Sequence, residues 1–211
     1  TCRQLLRYVL AVAVIASVLI GCGAKPAGER GTEIVTAEEA LELVSDPDVV
    51  LVDTRPTPEY RDQHIAEAVS ISRADIVVNT PFPNLVAAGE AVADVLGSRG
   101  ISNDTLVVAY DDNNNMDAAR LWWMLRYYGH ESVKVVSGGL SALEAAGAAL
   151  TDQAPSVTAV EYTAEPADES MIATAKEIRD WTDTPDPSVV LIDTRTREEF
   201  LERSEERRVG K

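Results

Sequence analysis

Nucleophilic sulfur is confined to the front of this chain. Cys2 and Cys22 are its two cysteines, so residues 23–211 offer no thiol to attack an electrophile or to bind a soft metal. The densest polar run is Asp111-Asp112-Asn113-Asn114-Asn115-Met116-Asp117, directly after the apolar stretch Thr105 to Tyr110. A carboxylate at the head of such a loop can fill a cradle of backbone N–H groups as a permanent anion. It could also ligate a hard cation. Asp111, Asn113 and Asn115 fit the first three ligand positions of a calcium loop, but Met116 stands where glycine is required and Trp122 where glutamate is required. Calcium is the poorer reading.

The remaining chemistry-capable residues are sparse. His64 and His130 lie far apart with no carboxylate at ligand spacing, which reads as two structural histidines rather than a metal site or a triad. No Gly-x-Ser-x-Gly occurs, so a serine nucleophile has no support. Asp53 with Arg55, and Asp193 with Arg195, sit just past apolar runs and read as buried pairs that order strand-end loops. Trp122, Trp123, Tyr127 and Tyr128 crowd one helical stretch, where one tryptophan is expected to face the core and the other a partner domain. No cofactor or metal is implied.

The elements that must position these groups come in two copies. Val49 to Tyr60 returns as Val189 to Phe200, with the core Val-Val-Leu-(Val/Ile)-Asp-Thr-Arg nearly unchanged. Upstream, Thr36-Ala-Glu-Glu-Ala40 matches Thr174-Ala-Lys-Glu-Ile178. In the first copy Thr36 and Glu39 form a capping box before a short helix. Val49 to Val52, Thr105 to Tyr110 and Val133 to Val136 are continuous apolar runs, the pattern of buried parallel strands. Thr57-Pro58-Glu59 starts one helix and Asn84 is expected to open another, ended by Gly100. A helix over about Asp117 to Tyr128 and an Ala-rich one from Leu140 to Leu150 complete the series. Strands alternating with helices predict an α/β fold, a parallel sheet with helices on both faces. The formal net charge of −16, from 35 acidic and 19 basic residues, argues against a nucleic-acid binder.

These motifs, in this order, resemble the tandem-domain rhodanese family, the thiosulfate and 3-mercaptopyruvate sulfurtransferases. Leu51-Val-Asp-Thr-Arg55 with Glu59-Tyr60 and His64-Ile65 is similar to the family's N-terminal signature. Gly100 to Thr105 and Val107 to Asp111 resemble the run into its active loop, and Ala118 to Arg126, Gly129-His130 and Ser137 to Leu140 the helix and turn that follow. Gln63-His-Ile-Ala-Glu-Ala68 departs from the usual Gly-His-Ile-Pro-Gly-Ala, and Leu143 replaces a frequent tryptophan. The resemblance implies a rhodanese-like fold, and sulfur transfer through a cysteine persulfide between a small-molecule donor and acceptor. It also implies that Asp111 occupies the cysteine position of an inactive N-terminal copy.

The expected organisation follows. Arg3 and Arg7, an uncharged apolar run from Tyr8 to Ile20, and Leu19-Ile-Gly-Cys22 resemble a bacterial lipoprotein signal. Residues 1–21 are then a signal peptide, Cys22 the lipidated residue, and 22–32 a tether to the outer side of a cell-envelope membrane. Residues 33–150 form the non-catalytic rhodanese-like domain and 151–169 a linker. Residues 170–202 are the truncated start of a second copy, poorly ordered or packed opportunistically, and 203–211 a non-native tail. The expectation is a monomeric sulfurtransferase fragment, inactive alone because its cysteine lies in the missing half. The alternative is a non-catalytic module that binds a partner or small anion at the envelope.

Overall fold

The strands are where the uninterrupted β-branched runs are, and the helices where apolar residues recur every three to four positions. The computed structural model describes residues 33–201; Cys2, Cys22, the apolar run before it and the tail from 203 lie outside them. The elements in chain order are β1 (Ile34–Val35), α1 (Ala37–Leu43), β2 (Val49–Asp53), α2 (Thr57–Asp62), β3 (His64–Ile65), β4 (Val69–Ser70), α3 (Arg73–Ile76), β5 (Val77–Val78), β6 (Leu85–Val86), α4 (Gly89–Ser98), β7 (Leu106–Tyr110), α5 (Met116–Tyr127), β8 (Val133–Val136), α6 (Gly139–Ala145) and β9 (Leu150–Thr151). A 3₁₀ turn (Glu169–Met171) and α7 (Ala175–Asp183) follow. The described residues divide into two units between Ala167 and Asp168.

In the first unit five strands form one parallel sheet in the order β1-β8-β7-β2-β4. The fold is α/β, as the alternation of elements requires. Alternate side chains of the strands point to opposite faces. Leu51, Val108, Tyr110 and Val136 join Ala37, Ala40 and Leu143 in a buried cluster, which places α1 and α6 on that face. Val52, Val107 and Ala109 are buried on the other, the side of the sheet where α5 packs on β7 and β8 through its own buried Leu121, Met124 and Leu125. Each such leucine contributes about 1.5–3 kcal/mol by leaving water. The chain leaves β2 toward β4 and leaves β7 toward β8, so the direction of winding reverses at the C-terminal ends of β2 and β7. Open α/β sheets take ligands at such a crevice.

Several local expectations need correction. Asn84 does not open a helix: it has φ +62°, its N–H bonds to Asn79 Oδ1 at 3.0 Å, and it leads into β6, which pairs antiparallel with β5. A short polar side chain tolerates that left-handed conformation, and helix α4 begins five residues later. The Ala-rich helix stops at Ala145, because Gly147 at φ +92° turns the chain so that β9 can pair with β3. The stretch after β9 is extended and bonded to the unit's own backbone. Val160 N–H donates to Gly97 O at 3.0 Å, Asn103 and Thr163 exchange two bonds, and Glu165 N–H donates to Tyr128 O at 3.1 Å. Tyr162 is buried against His130, ring centroids 5.8 Å apart. Gly97 has to be glycine for this, since a Cβ there would lie 2.5 Å from Val160 O. Neither tryptophan of α5 is fully buried; Trp123 stacks on Tyr127 at 5.1 Å beneath Arg120, and Trp122 lies under Arg126.

In the second unit α7 has the same capping box as α1, Thr174 with Glu177, and all its residues are outside the buried class. Residues 189–194, the repeat of β2, form no strand, and residues 197–201 are helical.

Candidate functional site

The crevice at the ends of β2 and β7 is built around two carboxylates. Asp111 follows the last residue of β7 and is 1% exposed. Its Oδ1 accepts N–H bonds from Asn113 and Asn115, both at 2.9 Å, and its Oδ2 accepts from Asp117 at 2.8 Å and Ala118 at 3.0 Å. Asp117 and Ala118 are in the first turn of α5, so Asp111 caps a helix from six residues away and sits at the positive end of its dipole. The N-cap residue, Asn115, makes no side-chain capping bond of its own. Asn114 and Asn115 reach this geometry in the left-handed region, at φ +54° and +62°. Four N–H groups converging on one anion are the opposite of a cation site, and both carboxylate oxygens are already used. The calcium reading of Asp111, Asn113 and Asn115 therefore fails. Among the described residues no cluster of three or more His, Cys, Asp or Glu could hold a metal.

The loop is backed by the Gly138-Gly139 turn. Leu140 N–H donates to Asp111 O at 2.8 Å, and a Cβ on Gly139 would lie 2.1 Å from that oxygen, so any side chain there would push the loop away. Asp112 and Met116 are exposed, as are Asn113 and Asn114. Asp112 reaches toward Arg55 Nη1 at 3.7 Å.

Asp53 ends β2 with 0% exposure and carries a denser network. Arg55 donates through its backbone N–H to Oδ1 at 2.9 Å and through Nη2 to Oδ2 at 2.7 Å, and the same Nη2 reaches Gln63 O at 2.6 Å. The Tyr110 hydroxyl donates to Asp53 Oδ2 at 2.7 Å and accepts from Ile65 N–H at 3.1 Å. Burial and the neighbouring carboxylate push the Tyr110 phenol far above its ordinary range. Burial by itself would lower the Arg55 pKa, but its hydrogen bond to Asp53 and the charges of Asp53, Tyr110 and Asp112 together outweigh this and the net shift is upward. Neither group exchanges protons near neutrality; the network orders the crevice. Thr54 ties the two strand ends together, its hydroxyl donating to Tyr110 O at 2.9 Å.

A cleft of about 490 Å³ opens beside the loop, lined by Thr54, Thr57, Ser72, Arg73, Asn84 and Asp117 among others. Arg73 Nε to Asp117 Oδ1 at 2.6 Å fastens α3 to the start of α5 across it. Sequence reasoning brought Asp53, Arg55 and Asp111 to this crevice and named Asp117 only as the end of the polar run, and it missed Tyr110 and Arg73. Tyr110, the last strand residue before Asp111, was the signal available. His64 and His130 are both buried, and His64 Nε2 has no hydrogen-bond partner among the described residues. Neither lines that cleft. Asp193 and Arg195 repeat the chelate of the first copy, Nε to Oδ1 at 2.9 Å, in the second unit.

Residues 36–146 match the model of the rhodanese-like domain family. A protein of Mycobacterium tuberculosis provisionally named thiosulfate sulfurtransferase is 32% identical over 169 residues, which is 79% of this chain and 59% of that protein. The 3-mercaptopyruvate sulfurtransferase of Escherichia coli is 31% identical over 121 residues, 52% of this chain and 43% of the enzyme. The crystal structure of SseA from Escherichia coli, a 3-mercaptopyruvate sulfotransferase with the rhodanese fold, superposes with a TM-score of 0.71 at 25% identity, covering 80% of this chain and 67% of that one. The chain thus spans less than two thirds of the length of the curated relatives it matches.

Proposed function

The chain belongs to the rhodanese-like family, and from that membership we propose that it is the non-catalytic half of a sulfurtransferase. In this reading the whole protein takes a sulfur atom from thiosulfate or 3-mercaptopyruvate onto a cysteine of a second copy, holds it as the sulfane sulfur of a persulfide and passes it to a thiophilic acceptor. A thiolate attacks the outer sulfur of thiosulfate, the S–S bond breaks, and sulfite leaves with the electron pair, so that a persulfide remains on the cysteine. Asp111 stands where the corresponding cysteine of the first copy would be. A carboxylate cannot form a persulfide, so the present copy shapes the site without reacting. The lipoprotein signal at Cys22 adds a location: anchored by acyl chains on the outer side of a cell-envelope membrane.

One observation carries the proposal, the four N–H groups around the Asp111 carboxylate. An inactive copy that keeps an anion cradle has the apparatus that would hold a thiolate or persulfide, with an inert anion in its place. The test is Asp111→Cys, with Cys2 and Cys22 replaced by serine. Incubated with thiosulfate, this variant is expected to gain one sulfur atom by mass spectrometry, removable by dithiothreitol, and its thiol to titrate below the usual value of about 8.5. The unaltered chain is expected to take up none. An Asp111→Cys thiol that titrates normally and accepts no sulfur would overturn the reading. The runner-up, a binding module with no catalytic copy, is separated by the residue about 51 positions beyond Phe200, by analogy with Tyr60 to Asp111. Cysteine there supports the enzyme, and aspartate or serine supports the binder.

A further inference from the structure

The first unit's basic side chains are few, and three of its six described arginines are spent on carboxylates. Among its described residues Arg55 pairs with Asp53, Arg73 with Asp117 and Arg126 with Glu131. Arg120 has no carboxylate within ion-pair distance among the described residues, but it covers the Trp123 ring at 4.9 Å and donates to Asn84 O. Arg61 and Arg99 are different. Neither has a carboxylate partner among the described residues, although 35 acidic side chains are available in the sequence. Both line one cavity of about 620 Å³, between the last turn of α2, the end of α4 and the extended stretch at Ala154 and Pro155.

That convergence is not neutral in this chain. With a net charge of −16, two unpaired guanidinium groups facing one space are a local reversal of sign. Arg99 is held in place: its Nε donates to Ser70 O at 2.8 Å and its Nη1 to Ser98 Oγ at 3.3 Å, which leaves its outer edge for another acceptor. Its charge is felt inside the cavity wall, where it pulls against the burial that raises the Tyr60 phenol. The Arg61 side chain makes no hydrogen bond to any described residue. One carboxylate, Asp75, also lines the cavity and is tied to its own helix start, its Oδ2 accepting both Ser72 N–H at 2.8 Å and Ser72 Oγ–H at 2.7 Å. Thr57 also lines the space.

We propose that this cavity is a binding site for a small doubly charged oxyanion, a tetrahedral ion of the size of sulfate, phosphate or thiosulfate, held between Arg61 and Arg99. A guanidinium presents its donors in a planar fork that matches two oxygens of such an ion, and two forks from different elements match its two charges. The site is separate from the Asp111 loop, none of whose residues 111–116 lines it. It does not rest on the sulfur-transfer reading.

The test is titration of the whole ¹⁵N-labelled chain with sodium sulfate, phosphate or thiosulfate in separate series, with ionic strength held constant by sodium chloride. Saturable shifts are expected at Arg61, Ser98, Arg99 and the residues around Ala154, with none at Asp111 to Met116. Arg61 is exposed and unbonded, so Arg61→Ala is expected to keep the melting temperature and to weaken binding about tenfold, the loss of one charge-assisted contact. Arg99→Lys, which keeps the charge and loses the fork, is expected to weaken it less. Shifts that grow linearly without saturation, unchanged affinity in Arg61→Ala, or shifts centred on the Asp111 loop would each overturn the proposal. A preference for thiosulfate would mark it as a site for a sulfur oxyanion, and equal affinities as a general tetrahedral-anion site.

Discussion

Asp53-Thr54-Arg55 and Asp193-Thr194-Arg195 fold into the same chelate in two very different settings. In both, the arginine's backbone N–H returns to the aspartate Oδ1, and Nε and Nη2 fork onto the carboxylate. The first lies at the end of a parallel strand, under Tyr110 and beside the Gln63 carbonyl, sealed from water. The second follows residues that form no strand, with Val190 and Ile192 77% and 78% exposed. Hydrogen bonding to Arg195 holds the Asp193 carboxyl at about 2. Local sequence is therefore enough to form the chelate, and what it is worth depends on the sheet around it. An ion pair that is exposed contributes little, whereas a buried one cannot lose a partner cheaply.

The sharpest way to break the comparison is to remove the acid from each copy. Asp53→Ala strands the Arg55 charge and the Tyr110 hydroxyl in the interior and is expected to cost about 3–5 kcal/mol in urea unfolding of the first unit. Asp193→Ala is expected to leave the unfolding midpoint where it was; equal losses from the two would erase the distinction. Next in size, Asp111→Ala deprives four loop N–H groups of their acceptor. A cost of about 2–4 kcal/mol is expected, with fast amide exchange at Asn113, Asn115, Asp117 and Ala118, while Asp111→Asn, which keeps one oxygen, loses less. Retained protection at all four amides in the alanine variant would show that the loop holds itself.

A smaller effect tests the stretch after β9, one of the parts of the first unit without a counterpart in the described second copy. Gly97→Ala drives a methyl group into the Val160 carbonyl and is expected to expose residues 152–165 to protease at a cost of about 1–3 kcal/mol. Cleavage no faster than in the parent chain would contradict that packing. The smallest is a pH effect at His130, 2% exposed beneath Tyr162. Burial lowers its pKa against the opposing pull of the Ser132 and Thr105 carbonyls. The unfolded chain then binds a proton that the folded one refuses. Stability is full above the unfolded pKa of about 6.5 and falls as the pH drops from there toward the folded value, by up to about 1.4 kcal/mol per pH unit. His130→Asn is expected to flatten that slope between pH 6.5 and 5, and an unchanged slope would assign the loss to other groups.

How much of this was legible in the sequence depended on range. The runs at Val49, Leu106 and Val133 announced a parallel sheet because strands buried on both faces need no alternation. The capping box at Thr36 could be read from two residues three apart. Asn84 and the end of the Ala-rich helix were misread, because a left-handed residue and a strand pairing 85 residues away leave no trace in helical periodicity. The carboxylate at Asp111 was visible as a residue type. The number of N–H groups it would collect was not, since that depends on two asparagines adopting positive φ and on a glycine turn pressed against the loop from a distant segment.

By itself the sequence determined the α/β alternation of the long buried strands and their helices, the absence of a thiol between residues 23 and 211 and the repetition of one strand-loop motif. Hydrophobic periodicity, composition and repeats are properties of neighbouring residues or of residue identity, and they survive without coordinates. The tertiary structure alone decided which of the two Asp-Thr-Arg motifs is buried, that Asp111 caps α5, and that Arg61 and Arg99 face the same space. The buried chelate and the shared Arg61–Arg99 cavity need segments distant in the chain to come within a few ångströms, and the Asp111 cap needs its loop held in left-handed turns against a distant glycine turn; burial, desolvation and charge coupling act only at that range.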